Sequence, residues 1–427
     1  MISGDSSHAA SHDPSHRRRP AVTPSIWLLL YLLTAFLPGC SADPETRISV
    51  LTSEPILFIY AEYYNAQQDS IYVDVQHTEN PIAFLNQPGE PPDLVIQPNP
   101  AGTNSTSWFR KIDLELPDDI YPQIAATFEK ETGSTMLPLA FSLPVIVWHD
   151  QSPGPNPPLT IGLTQLNELT TTERSGDRLT HTGFSPVWNP QLLPLILRAR
   201  GINPSFTDQG TPEWNSEEIG DAVTEIRNWI DENFQNRDEL ELFNETYMYP
   251  PYYTLLRQER IDYYPVDLHD FLSLPSNLRS DLDFAWFGNN GRIPVTSSVI
   301  YAAIPRESKE HQAASDFLQW ITSTENQASL ITYTIEQELP EFGFFGGLSS
   351  LSSTNEKTIP NLFPELQGKA PVSSRLLFPP PMPAYWNSLE DEVIAPFLAE
   401  SVMQETPLPN EVLHTRINRW LTRLGRN

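Results

Sequence analysis

The sequence has 427 residues and a formal net charge of −28, with 54 acidic residues against 26 basic ones. Such a polyanion repels phosphate backbones, so the charge argues against nucleic acid as a partner. The length exceeds what one hydrophobic core usually holds, which predicts two lobes of about 150 to 200 residues each. The acidic composition resembles that of proteins from saline habitats, and ordinary solubility from net charge is the alternative explanation.

The first forty residues have the pattern of an export signal. Three arginines at 17–19 precede an apolar stretch over residues 26–37, which ends in Leu37-Pro38-Gly39-Cys40. This stretch is shorter than the ~20 residues of a membrane-spanning helix, as expected for a signal peptide. The Gly-Cys pair resembles a bacterial lipobox, although Pro38 is an unusual occupant of it. We therefore predict a signal peptide over residues 1–39 and a lipid anchor on Cys40, the only cysteine of the chain.

Short apolar segments bounded by polar turns alternate with amphipathic segments along the rest of the chain. The pattern predicts buried strands over residues 48–51, 94–96, 144–148 and 299–304. It also predicts an amphipathic helix over residues 311–331, with Phe317, Leu318 and Ile321 on its apolar face. This alternation indicates an α/β architecture.

Motifs of catalysis that can be recognised by spacing are absent from the sequence. It has no G-x-S-x-G, H-E-x-x-H, G-x-x-x-x-G-K-[ST] or G-x-G-x-x-G pattern, and its histidines are scattered. Acidic neighbours such as Asp118-Asp119 and Glu390-Asp391-Glu392 are expected to form solvated faces in a chain this acidic. We therefore expect no enzyme activity, no metal and no cofactor.

Three stretches, in order along the chain, resemble one protein family. Residues 92–96 read PDLVI, residues 137–144 read LPLAFSLP, and residues 300–330 contain AAIP followed by an F-x-x-W-x-x-S-x-E-x-Q pattern. They resemble extracellular solute-binding proteins related to maltose-binding protein, in particular the sugar-type lipoproteins of spirochaetes. The second stretch looks like the point at which the chain first crosses from one lobe to the other.

The resemblance implies a fold with two α/β lobes, a hinge and a cleft between the lobes that closes around a ligand. Carried over to this chain, the N-terminal lobe takes residues 40–140 and 300–335, and the C-terminal lobe takes residues 141–299 and 336–427. The resemblance further implies a carbohydrate or polyol ligand, which the protein delivers to the permease of an ABC importer. We expect a lipid-anchored monomer in the periplasm or on the cell surface.

Sugars have apolar faces and hydroxyl rims, so a sugar site needs aromatic rings together with polar acceptors and donors. The resemblance places Phe184 and Trp188 at the entry to a helix that lines the pocket, and it places Tyr385 and Trp386 where a late aromatic residue stacks on sugar rings. The predicted ligand-binding residues are Glu54, Gln97, Phe141, Phe184, Trp188, Tyr264, Trp286, Tyr385 and Trp386.

Two interpretations from other functional classes stay open at this point. A surface enzyme that processes carbohydrate would use two carboxylates about 5 to 10 Å apart, which need not be neighbours in sequence. A sensor or adhesin would bind carbohydrate without a transporter.

Overall fold

The computed structural model describes residues 46–85, 88–101, 105–150, 158–207 and 210–425. The predicted signal peptide and Cys40 lie outside the described residues. None of the helices in the described ranges combines the length and the apolar character that a membrane span requires.

The strands of the described residues are short and mostly buried. They are β1 Thr46–Thr52, β2 Ile71–His77, β3 Leu94–Pro98, β4 Met136–Phe141, β5 Pro144–His149, β6 Thr160–Ile161, β7 Thr172–Ser175, β8 Arg178–Thr182, β9 Ser205–Phe206, β10 Pro212–Glu213, β11 Tyr263–Asp267, β12 Leu282–Phe287, β13 Ile293–Pro294, β14 Ile300–Ala303, β15 Leu348–Ser349 and β16 Leu376–Leu377. Three of the four strands predicted from apolar runs are confirmed as parts of β1, β3 and β5, and the fourth, predicted over residues 299–304, is confirmed as β14 but extends one residue too far at each end.

A six-stranded sheet has the order β15-β4-β14-β3-β1-β2. Strand β1 runs parallel to β2 and to β3, while β14 runs antiparallel to both β3 and β4. The carboxyl ends of β1, β3 and β4 therefore share one edge with the start of β14. Ile300, the first residue of β14, lies opposite Pro98 and Ala140 at this edge.

A four-stranded sheet has the order β11-β5-β12-β6. Strand β5 is antiparallel to β11 and β12, and Asp267 at the end of β11 lies opposite Pro144 at the start of β5. The start of β5 and the end of β11 thus form one edge of this sheet.

The helices pack around these sheets. They are α1 Leu57–Gln67, α2 Pro81–Leu85, α3 Ser105–Trp108, α4 Pro122–Ala126, α5 Leu163–Leu169, α6 Leu192–Ala199, α7 Ser216–Asn233, α8 Arg237–Tyr247, α9 Tyr252–Arg257, α10 Leu268–Leu272, α11 Ser276–Arg279, α12 His311–Ile321, α13 Thr324–Glu336, α14 Ile359–Leu362, α15 Trp386–Leu389, α16 Ala395–Met403 and α17 Asn410–Arg423. Three π-helical turns extend or join them, at Thr127–Glu131, Thr354–Thr358 and Glu390–Ile394.

The single helix predicted over residues 311–331 is wrong, because the chain forms two helices, α12 and α13, separated at Thr322 and Ser323. Ser323 has an extended backbone and caps α13, since its hydroxyl accepts a hydrogen bond from the N–H of Asn326 at 3.5 Å. The Asn326 amide in turn donates to the carbonyl of Trp320 at 2.8 Å. Polar side chains therefore satisfy the backbone groups that a continuous helix would pair internally.

The apolar face predicted for this region is confirmed within α12. Phe317 and Ile321 are fully buried, and the ring of Phe317 lies 5.0 Å from that of Tyr64 on α1. Trp320 is half-buried and packs against Tyr64 with ring centroids 4.8 Å apart. These contacts hold α1 and α12 together beside the six-stranded sheet.

The chain passes between the two sheets through two neighbouring segments. Ser142 and Leu143 connect β4 of one sheet to β5 of the other. Residues 295–299 lead back to β14, and the N–H of Thr296 donates to the carbonyl of Ser142 at 3.0 Å. The two crossing segments are therefore hydrogen-bonded to each other. The lobe boundaries proposed from sequence stay a prediction. Strand β15 belongs to the segment 336–427, which the resemblance assigns to the C-terminal lobe, and it pairs with β4 of the six-stranded sheet.

Candidate functional site

A cavity of about 590 Å³ opens where the facing edges of the two sheets meet. The six-stranded sheet contributes Pro98, Phe141 and Ile300, and the four-stranded sheet contributes Pro144 and Asp267. Ligands of open α/β sheets bind outside the carboxyl ends of the strands, and three of these residues end a strand. We call this space the acidic cavity, because the carboxylates that line it are Glu54, Asp267, Asp270, Glu341, Glu390 and Asp391.

Asp267 is held in place by two hydrogen bonds to one carboxylate oxygen. Its Oδ1 accepts from the Ser142 hydroxyl at 2.5 Å and from the N–H of His269 at 2.8 Å. The second bond caps helix α10, which begins at the next residue. Burial raises the pKa of Asp267 to about 6, because desolvation outweighs these hydrogen bonds.

Glu54 and Glu341 lie close to His269 on the same side of the cavity. Burial raises the pKa of both carboxyl groups, and their mutual repulsion raises that of Glu54 further. The Nδ1–H of His269 donates to the carbonyl of Gly346 at 2.9 Å, which fixes the imidazole ring.

Gly346 lies between Glu341 and His269, at a position where only glycine fits. Its φ is +73°, and a Cβ built there would lie 2.7 Å from Glu341 Oε1 and 3.0 Å from His269 Nδ1. Any side chain would therefore displace both groups and strain the backbone. The sequence places glycine where the chain passes against the carboxylate and the imidazole.

Glu390 lies at the opposite side of the cavity and is only 6% exposed. The expectation that the Glu390-Asp391-Glu392 run is a solvated face is wrong for this residue. Ser297 donates to its Oε1 at 3.0 Å, the indole of Trp386 donates to its Oε2 at 2.7 Å, and Arg198 lies 3.5 Å from Oε2. These donors compensate the buried negative charge.

A π-helical turn brings Glu390 to the cavity. The turn Glu390–Ile394 joins α15 to α16, and Pro396 lies in the first turn of α16. Proline has no N–H to donate to the preceding turn, so the regular i→i−4 pattern cannot continue through this point. Such turns are frequent at functional sites, because they shift the direction of side chains within a helix.

A second space, here called the adjoining cavity, also has a volume of about 590 Å³. Pro98 and Asn387 line both cavities, so the two spaces are neighbours. The lining of the adjoining cavity includes the amide of Gln97 and the rings of Tyr385 and Trp420. Gln97 is only 4% exposed, and its Oε1 has no hydrogen-bond partner among the described residues.

The structure brings some of the predicted site residues together and leaves others apart. Glu54 and Phe141 line the acidic cavity, and Gln97 and Tyr385 line the adjoining cavity. Trp386 is 1% exposed and reaches the acidic cavity only through its hydrogen bond to Glu390.

The remaining predicted residues pack against other side chains away from the two cavities, Phe184 and Trp286 fully buried and Trp188 and Tyr264 half-buried. Phe184, Trp188 and Tyr264 form an aromatic cluster, in which the Trp188 and Tyr264 rings are stacked 6.4 Å apart. The indole of Trp188 donates to Asn244 at 2.9 Å. Trp286 is fully buried, and its indole donates to the carbonyl of Lys369 at 2.8 Å. None of these four lines either of the two cavities.

The sequence analysis missed most of the polar residues that line the acidic cavity. Asp267 is the last residue of an otherwise largely apolar strand, and a carboxylate at a strand end is a signal that was available. Glu341 has no such signal, because it lies in an irregular segment between α13 and β15. The described residues contain no cluster of three or more His, Cys, Asp and Glu side chains arranged to hold a metal.

Comparisons with known proteins give matches in structure only. No family model matches this chain, and no curated protein matches it. CpMnBP1 with mannobiose bound has a TM-score of 0.61 at 13% identity, and the match covers 88% of this chain and 99% of that one. An ABC substrate-binding protein from Listeria monocytogenes in complex with cycloalternan has a TM-score of 0.57 at 14% identity, with coverage of 90% and 100%.

A third solved structure has the same fold. It is the cyclic alpha-maltosyl-1,6-maltose binding protein from Arthrobacter globiformis, with a TM-score of 0.59, 13% identity and coverage of 88% of this chain and 99% of that one. At this level of identity the likeness establishes the fold. The chain has the two-lobe α/β fold of maltose-binding-like solute-binding proteins, as predicted.

Proposed function

We propose that this protein binds a carbohydrate in the cleft between its two sheets and delivers it to a membrane permease. The observation that carries this proposal is the acidic cavity, which lies between the facing edges of the sheets and beside the crossing segments. Proteins of the same fold that bind mannobiose, cycloalternan and a cyclic maltosyl-maltose support a carbohydrate as the ligand class.

The lining of the cavity has the chemistry that a sugar needs. Carboxylate oxygens and the side chains of Asn189 and Gln191 can accept or donate hydrogen bonds to hydroxyl groups. Phe141 and Phe345 also line this space and form part of its apolar wall, with 2% and 5% of their surfaces exposed. A few placed polar groups within a partly apolar cleft are typical of small-molecule sites.

The role in transport rests on the predicted export signal together with the fold. A lipid on Cys40 would hold the protein at the outer side of a membrane, close to a permease. The two crossing segments provide a place for hinge motion, because they lie between the sheets and are hydrogen-bonded to each other. The fold and the absence of a catalytic motif both favour a binding protein over a carbohydrate-processing enzyme.

A carbohydrate panel measured by thermal unfolding and then by calorimetry tests the proposal. A ligand at about 100 times its Kd should raise the free energy of unfolding by about 2.7 kcal/mol, because it binds only the folded protein. The variant Asp391→Ala removes a carboxylate that lines the cavity and should weaken binding of that ligand by about 1 to 3 kcal/mol.

The control is Asp118→Asn, which removes an exposed carboxylate that lines neither cavity and should bind like the wild type. If no carbohydrate stabilises the protein, the ligand class is wrong. If a bound sugar is hydrolysed, with free reducing ends appearing in proportion to protein, the protein is an enzyme instead.

A further inference from the structure

A buried arginine contacts the wall of the acidic cavity without lining the cavity itself. Helix α6 reads LLPLILRA, and Arg198 is its only charged residue. Every residue of this helix is buried, and Arg198 is only 4% exposed. Arginine is almost never buried to this extent unless its guanidinium has partners. Its presence on an otherwise apolar helix therefore calls for an explanation from the groups around it.

The guanidinium of Arg198 joins two segments that are distant in the chain. Its Nη1 donates to the carbonyl of Val295 at 2.8 Å, in the crossing segment that leads back to β14. Its Nη2 lies 3.5 Å from Oε2 of Glu390, which lines the acidic cavity. A planar guanidinium has several donors in a fixed arrangement, so one arginine can hold a carbonyl and a carboxylate at the same time.

Glu390 is held on both of its carboxylate oxygens. Ser297 donates to Oε1 at 3.0 Å, and the indole of Trp386 donates at 2.7 Å to Oε2, the oxygen beside Arg198. A carboxylate has about four sites that can accept hydrogen bonds. Among the described residues Oε1 has a single donor, Ser297. This oxygen can therefore accept a further hydrogen bond from a ligand hydroxyl.

Folding alone does not account for this buried ion pair. The cost of desolvating two charges largely cancels their attraction, and apolar residues of similar volume often replace such a pair without loss of stability. The pair lies where its carboxylate meets the cavity, and Ser297, which donates to that carboxylate, lines the same cavity. An acceptor that is already fixed before binding reduces the entropy lost on binding, so this arrangement favours recognition of a ligand.

We propose that Glu390 accepts a hydrogen bond from a hydroxyl group of the bound carbohydrate, and that Arg198 is a positioning residue that holds Glu390 in place. Arg198 does not touch the ligand and acts on binding through Glu390. Because this role requires a carbohydrate ligand, it rests on the proposed function and adds a ligand-binding residue and its support to the same site. Arg198 also connects that residue to the crossing segment, since it holds the carbonyl of Val295.

A double-mutant cycle on ligand affinity tests this role. Calorimetry on the full chain uses the carbohydrate panel, including mannobiose, maltotriose, maltotetraose and cellobiose, with Glu390→Gln, Arg198→Met and the variant that carries both substitutions. For a sugar that binds the wild type, each single substitution should weaken binding roughly tenfold, because the charged acceptor is lost in one variant and displaced in the other. The double variant should bind within about threefold of Glu390→Gln, because Arg198 has no other route to the ligand.

Two further variants separate a positioning role from a structural one. Arg198→Lys keeps the charge but loses the planar set of donors, so it should weaken binding about threefold, less than Arg198→Met does. This effect should vanish in the presence of Glu390→Gln, which keeps the test decisive if Arg198→Met does not fold. Arg279→Met is the matched control, because Arg279 is half-buried and pairs with Glu365 at 2.6 Å but lines neither cavity. It should lower the stability measured by thermal unfolding and leave the affinity unchanged.

The outcomes separate the positioning role from the proposed function. If a sugar binds and either Glu390→Gln or the folded Arg198 variants bind it like the wild type, the positioning role is wrong and the carbohydrate function stands. If the two effects add in the double variant, Arg198 acts independently of Glu390, and the positioning role is again wrong. If no sugar of the panel binds the wild type, both are rejected.

Discussion

Replacing Asp267 by Asn tests whether the carboxylate between the two sheets is desolvated in the folded protein. In the wild type its Oδ1 accepts hydrogen bonds from the Ser142 hydroxyl and the N–H of His269. The amide oxygen of Asn can accept the same two bonds, and Asn is as good a helix N-cap as Asp. The substitution therefore removes the titrating group and keeps its structural contacts.

The pKa of Asp267 sets the sign and size of the expected effect. Burial raises this pKa to about 6, whereas an unfolded Asp has a pKa of about 3.9. Between these two values the folded protein binds more protons than the unfolded chain, so this group makes the free energy of unfolding fall as the pH rises. Over the whole pH range this group lowers the free energy of unfolding by about 3 kcal/mol, and about 1 kcal/mol of that decrease occurs between pH values of about 5 and 8.

The Asp267→Asn variant has no titrating group at this position, so its stability relative to the wild type should increase as the pH rises. Urea unfolding followed by tryptophan fluorescence should give a difference in unfolding free energy, variant minus wild type, that is ~1 kcal/mol larger at pH ~8 than at pH ~5. Asp118→Asn, at an exposed position, should show no such trend. A difference that is constant with pH, or that shrinks as the pH rises, would refute the reasoning.

Three further predictions follow from the site, the charge and the leader. Trp386→Phe removes the indole donor to Glu390 and should lower stability by about 1 to 3 kcal/mol and weaken ligand binding. The control is Trp229→Phe, because the indole of Trp229 donates to the carbonyl of Leu163 away from the acidic cavity. This control should lower stability and leave ligand binding unchanged. Equal ligand affinity of both variants in calorimetry would exclude a role for Trp386 at the site. The melting temperature should rise with added salt, because salt screens the repulsion within a net charge of −28, and a flat or falling curve would contradict this. Cys40→Ser should abolish incorporation of radiolabelled fatty acid. Radiolabelled fatty acid on the Cys40→Ser variant would disprove the proposed anchor.

Four buried strands of the fold could be predicted from the sequence. Short runs of β-branched and apolar residues, such as those of β3 and β5, are typical of strands in a sheet that is covered on both faces. Such a run therefore predicts a buried strand without reference to the rest of the chain. The helix over 311–331 was predicted too long, because its apolar periodicity continues through the Ser323 cap and hides the break.

The composition of the acidic cavity was decided by tertiary structure. Glu54, Asp267 and Glu341 are far apart in the chain, and only the tertiary structure brings Glu54 and Glu341 beside His269, which lies two residues after Asp267. Nothing local separates them from the many acidic residues that face solvent. The same limit applies to aromatic residues, since Trp286 and Tyr385 both lie in apolar surroundings in the sequence, but one is fully buried and the other lines the adjoining cavity.

The sequence by itself determined the strongly acidic character of this protein, its apolar leader and the positions of four buried strands, because these depend on residue type and on short-range periodicity. Only the tertiary structure decided which carboxylates are desolvated. Glu390 is 6% exposed, whereas Asp118 is exposed to solvent on the surface. Desolvation depends on the atoms that pack around a group, and those atoms come from segments distant in the chain.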